Sequence, residues 1–160
     1  DEIDDALEVR LGADRQLDRD GAGAKALLDV LDALLEGGAG LVHLVAEDNA
    51  MNILLMKKLL ASWDVKADFA LNGLEAYEMA KERFYDIILM DIHMPVMDGY
   101  TATKAIREFD QETPVIALTA SITIDIQGRA TEFGMNDCIT KPFNPKDLFS
   151  IIAKYTAKDK

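Results

Sequence analysis

The chain has 160 residues, 49% hydrophobic and 29% charged, with a net charge of −12 and one cysteine. That is enough for one full domain plus a short extra segment, and the acidic balance without a basic stripe excludes sequence-independent binding to nucleic acid, which relies on Lys and Arg to neutralise phosphates. No apolar run approaches the roughly eighteen residues of a membrane span, the acidic start lacks the regions of a signal peptide, and the lone Cys138 allows no internal disulfide. A cytoplasmic protein, or the cytoplasmic portion of a membrane-bound one, is expected, with no membrane contact by this chain.

Residues 1–40 carry 11 acids and 4 bases and favour Ala, Asp, Leu, Gly and Arg, whereas the remainder is rich in Lys, Ile and Met. Two origins stay open for this segment, a natural helical extension or a piece foreign to residues 41–160. Residues 1–36 read as an acidic helical segment, a candidate helical hairpin. Leu27, Leu28, Leu31, Leu34 and Leu35 form one stripe of an amphipathic helix over 24–36. That helix is a candidate for self-association or for docking. Asp18-Arg19-Asp20-Gly21 resembles part of a calcium loop, but Leu27 stands where its bidentate Glu is required. Gly37-Gly38-Ala39-Gly40 reads as a flexible link.

From residue 41 to 160 the pattern becomes strand–helix alternation. The expected strands are Leu41–Ala46, Val65–Phe69, Asp86–Met90, Pro114–Leu118 and Asn136–Thr140. The expected helices are Met51–Ala61, Gly73–Arg83, Tyr100–Phe109, Ile122–Phe133, stopped by Gly134, and Lys146–Tyr155. Short apolar strands alternating with helices imply a parallel sheet covered on both faces.

In such sheets ligands bind outside the carboxyl ends of the strands. Those ends carry Glu47-Asp48-Asn49, Asp91, Thr119-Ala120 and Lys141-Pro142. Three carboxylates converging on one rim repel each other, a conflict that a divalent cation removes. Oxygen ligands suit magnesium, which keeps several waters and takes few protein carboxylates. A carboxylate can also act as a nucleophile toward phosphorus, with the lysine and the threonine hydroxyl serving the phosphoryl oxygens.

These motifs, Val45-Ala46-Glu47-Asp48-Asn49, Asp86-Ile87-Ile88-Leu89-Met90-Asp91, Met94-Pro95-Val96-Met97-Asp98-Gly99, Ala117-Leu118-Thr119-Ala120 and Thr140-Lys141-Pro142-Phe143, resemble the receiver domain of two-component response regulators. The resemblance covers about three quarters of the chain. It implies an α/β, flavodoxin-like (βα)5 doubly wound parallel sheet of order 2-1-3-4-5, preceded by the short helical segment. It implies a phosphoacceptor domain of a phosphorelay, with Asp91 taking a phosphoryl group from a phosphohistidine and the domain switching conformation. Asp48, Asp91 and the backbone carbonyl of His93 would bind Mg2+, with Glu47 reaching it through water and Mn2+ able to substitute. Thr119 would move toward the phosphoryl group and Lys141 would pair with it. The Lys141–Pro142 bond is expected to be cis. The partner would be a histidine kinase or a histidine phosphotransfer domain.

The Glu47-Asp48-Asn49 opening with Asn52, and the Thr-Lys-Pro-Phe ending, resemble receivers at the C-terminus of hybrid histidine kinases. A single-domain regulator is the second option, and no effector domain is expected after the fifth helix. As a separate domain it would be no enzyme beyond self-phosphorylation and dephosphorylation. Phosphatases with an aspartate nucleophile typically carry a second Asp two residues on, where this chain has His93. An idle interaction module is the third reading, and the intact acceptor set speaks against it.

One departure is Cys138, where the family often carries an aromatic residue that follows the threonine shift. It reads as a small buried core residue, and output through that face is expected to be weaker or different. His93 and Ser121 occupy the positions that usually tune phosphate lifetime, a solvated loop residue being the other reading of His93. His43 reads as a packed strand residue rather than a phosphocarrier. Met90, Met94 and Met97 read as adaptable packing, and Trp63 is placed far from the acidic rim.

Overall fold

The computed structural model describes residues 42–63 and 65–156. The expected helical segment 1–36, the link 37–40 and Leu41 lie outside the described residues.

Five strands alternate with five helices: β1 Val42–Ala46, α1 Ala50–Ser62, β2 Lys66–Ala70, α2 Gly73–Glu82, β3 Ile87–Asp91, α3 Gly99–Arg107, β4 Val115–Thr119, α4 Ile124–Phe133, β5 Asp137–Thr140 and α5 Pro145–Thr156. All strand pairs are parallel, in the order β2-β1-β3-β4-β5. This is the sheet expected from the sequence. It follows from central strands apolar on both faces: every residue of β3 and β4 is buried.

Strand alternation splits the core in two. Val45, Leu89, Ile116 and Leu118 pack with Met56 and Leu60 of α1 and with Leu148, Phe149 and Ile152 of α5. Leu44, Ile88, Met90 and Ala117 pack instead with Ala76 of α2, Ala102 and Ile106 of α3 and Ala130 of α4. Trp63 closes the first core at the end of α1, edge-on to Phe149 with ring centroids 5.1 Å apart, at the opposite end of α1 from the acidic loop. His43 is fully buried in β1, and neither ring nitrogen has a hydrogen-bond partner. It is a packed strand residue, and burial lowers its pKa from 6.5 to about 4.

Capping sets the helix starts. Asn49 accepts from the amides of Met51 and Asn52, Asn72 from Glu75, Asp98 from Thr101 and Thr123 from Ile126. The fourth helix therefore begins at Ile124 rather than at Ile122, because Thr123 is its cap. It ends at Gly134, whose φ of 97° is the left-handed conformation that glycine accepts without strain. Cys138 departs from the expected buried position: it is half-buried, because β5 is an edge strand and only one side of it is covered by a neighbour.

Candidate functional site

The register of the sheet assembles the site. Ala46 pairs with Met90, so Glu47 and Asp48 emerge beside Asp91, the last residue of β3. Asp91 pairs with Leu118 and Thr119 with Thr140, which brings Thr119 and Lys141 to the same rim. The Lys141 amide also donates to the Thr119 carbonyl at 2.7 Å. The Lys141–Pro142 bond is cis, as expected.

Lys141 is the hub. Its Nζ lies 2.7 Å from Glu47 Oε2 and 2.9 Å from Asp91 Oδ2, with both carboxylates almost fully buried. Burial pushes the Asp91 pKa up and outweighs the neighbouring ammonium, while the negative Glu47 and Asp48 add to the rise. Burial alone would lower the Lys141 pKa, but its contacts with Glu47 and Asp91 together raise it. Glu47 is further held through Oε1, which accepts from the Asn49 amide at 3.1 Å and from Asn52 Nδ2 at 3.3 Å. Sequence reasoning missed this side-chain role of Asn52. The signal available was its place three residues after Asn49, on the first turn of α1 and facing the carboxylate.

Carboxylate oxygens of Glu47, Asp48 and Asp91 lie within 4.8 Å of one another. Glu47 Oε2 is buried and, the Lys141 ammonium apart, has no hydrogen-bond partner. Asp48 is exposed and opens the cluster to solvent. An all-oxygen donor set with an open side for waters fits a magnesium ion.

The remaining residues differ in how they are deployed. The Thr119 hydroxyl donates to the Ser121 carbonyl at 2.9 Å and accepts from the Ser121 amide at 3.4 Å. It stands on the rim, committed to its own loop. His93 lies in the β3–α3 loop with an exposed side chain. Met90 is buried in the second core, with Met94 and Met97 packed against it, which is the adaptable packing expected of them.

Two glycines fix the loop after Asp91. A Cβ on Gly99 would lie 2.1 Å from the backbone oxygen of Asp91, and one on Gly73 would lie 2.3 Å from that of Met97. The Gly73 amide donates to the Met97 carbonyl at 2.9 Å, and the Gly99 amide to that of Ile92 at 2.8 Å. The loop after Asp91 is thus pinned by close backbone approaches from α2 and α3. Gly99 was legible only as a turn and helix start.

The response regulator receiver domain family matches residues 43–153. The chain belongs to this family. As a receiver domain, it is a part of two-component phosphorelay signalling. It is 40% identical over 131 residues to hybrid signal transduction histidine kinase G of Dictyostelium discoideum, covering 79% of this chain and 4% of that protein. It is 41% identical over 112 residues to the transcription factor SKN7 of Saccharomyces cerevisiae, covering 70% of this chain and 18% of that protein. The receiver therefore spans less than a fifth of the length of either relative.

Among solved structures, the receiver domain of sensor histidine kinase PA1611 from Pseudomonas aeruginosa superposes with a TM-score of 0.70 at 34% identity, over 74% of this chain and 99% of that one. That structure holds a magnesium ion in its active-site cleft. The receiver domain of Saccharomyces cerevisiae Ssk1, solved together with the histidine phosphotransfer protein Ypd1, superposes with a TM-score of 0.69 at 30% identity, over 72% of this chain and 88% of that one. Among the described residues no helix is long and apolar enough to cross a membrane.

Proposed function

We propose that Asp91 is the phosphoacceptor of this receiver, taking its phosphoryl group from a phosphohistidine of a histidine kinase or histidine phosphotransfer domain. The observation that carries this reading is the Lys141 ammonium, held 2.9 Å from Asp91 and 2.7 Å from Glu47 at the rim where three carboxylates meet. An Asp91 carboxylate oxygen attacks phosphorus in line with the donor nitrogen. The new P–O bond forms as the P–N bond breaks, and the electron pair stays on the imidazole, which takes up a proton. Lys141 orients the carboxylate before transfer and neutralises a phosphoryl oxygen after it.

Asp48, Asp91 and the His93 backbone carbonyl would hold Mg2+, or Mn2+ in its place, with Glu47 acting through water. The ion supplies charge neutralisation at the phosphoryl oxygens. The switch follows from Thr119. To hydrogen-bond the phosphoryl group its hydroxyl must leave the Ser121 carbonyl. That change remodels residues 120–123 and the start of α4, a population shift between two states. His93, exposed beside the acceptor, is positioned to govern water access and so phosphate lifetime.

The domain acts as a signalling acceptor rather than as an enzyme with turnover, in the cytoplasm or on the cytoplasmic side of a larger protein. A hybrid histidine kinase is the parent that its relatives favour. The test is incubation with a purified, phosphorylated histidine phosphotransfer protein. Transfer of label to this chain, abolished in Asp91→Asn, is expected. Label that persists in Asp91→Asn would overturn the assignment.

A further inference from the structure

The described sheet has two edge strands, β2 and β5. β2 pairs only with β1, and a groove of about 570 Å³ runs between it and α1. It is lined by the apolar Leu60, Ala61, Val65, Ala67 and Phe69 and by Lys57 and Asp68. The row of α1 that borders it continues to Leu54, which is 47% exposed, with Met51 beyond at 74%. Lys57 and Lys58 of α1 and Lys66 of β2 are exposed.

We propose that this groove is covered by the chain's own residues 24–36, docked as a helix along α1. Four observations point to that occupant. The stripe Leu27, Leu28, Leu31, Leu34 and Leu35 is apolar on one side, and a helix of this length is marginal in water without a partner. With three acids, Asp29, Asp32 and Glu36, against the single Lys25, the segment carries a net negative charge that complements the three exposed lysines of α1 and β2. The reach is sufficient. Val42 pairs with Lys66, so the chain enters the described fold one strand away from Val65, and the four-residue Gly-rich link spans up to about 14 Å. The lengths match as well: residues 24–36 would form a helix of about 20 Å, and α1 itself has 13 residues.

The test is hydrogen exchange on the full chain, with its mass in solution measured by light scattering. In the wild type, a monomer is expected in which peptides from 24–36, the C-terminal half of α1 and β2 are protected. Leu31→Asp should raise exchange about tenfold in β2 and α1 and leave α3 and α4 unchanged. Ala61→Glu, at an exposed position of the groove, should raise exchange in 24–36 by a similar factor. Unchanged β2 exchange in Leu31→Asp, or unchanged 24–36 exchange in Ala61→Glu, would overturn the proposal. So would protection that grows with concentration alongside a dimer mass, which would assign the groove to a second copy.

Discussion

Asp91 is held by contacts that single substitutions can remove. Gly99 carries no side chain because the backbone oxygen of Asp91 occupies the space where a Cβ would stand. Gly99→Ala must push β3 and α3 apart at Asp91. A loss of phosphorylation rate of about tenfold is expected with the secondary structure retained, read by labelling rate and circular dichroism. Unchanged labelling would mean that the contact does not position Asp91.

His43 gives a prediction of a different kind. It ionises with a pKa of 6.5 when exposed and about 4 in the fold. Above pH 6.5 neither state carries the extra proton, so nothing is lost. Between pH 6.5 and 4 the unfolded chain binds a proton that the folded one refuses, and stability falls as pH falls. Below that window the loss is complete, at roughly 3 kcal/mol. His43→Leu, close in volume and without two unpartnered nitrogens, should unfold at higher urea at pH 7, by about 1 kcal/mol. Its stability should also decline less steeply than the wild type's from pH 6.5 to 4. Parallel declines would contradict the assignment.

Among the elements, α1 carries the acidic loop at one end and the core at the other. Asn49 caps it and also donates its own amide to Glu47. Asn49→Ala should cost about 1 kcal/mol in thermal or urea unfolding, and it loosens the start of the helix on which Asn52 reaches Glu47. The alternation of elements was legible in the sequence because buried parallel strands are short apolar runs between amphipathic helices. Strand ends were less so. Hydropathy stops β3 at Met90 and β4 at Leu118, yet the ladder continues under the polar Asp91 and Thr119. Those two residues are themselves strand ends rather than loop residues, which is what holds them firmly on the rim. Side-chain contacts across the rim were not legible at all. Nothing in one dimension says that Lys141 divides itself between Glu47 and Asp91, or that Thr119 rests on the Ser121 carbonyl. The residue types were readable from their places at the strand ends, while the contacts depend on register and rotamer.

At the scale of the whole molecule, two cores on the two faces of one sheet leave the carboxyl edge of the strands free for chemistry. Packing is a matter for the faces and Asp91 belongs to the edge, so Leu148→Ala, in the α5 core, should cost about 3 kcal/mol of stability and leave labelling per folded molecule unchanged. Removal of magnesium should do the reverse, stopping labelling while the fold persists. The central claim, that Asp91 receives the phosphoryl group, is tested most directly by intact mass after incubation with acetyl phosphate and magnesium, comparing the wild type with Asp91→Asn. The account predicts a gain of one phosphoryl group in the wild type, no gain without magnesium and none in Asp91→Asn. A gain of the same size in Asp91→Asn, or no gain in a wild type whose fold is intact, would contradict it.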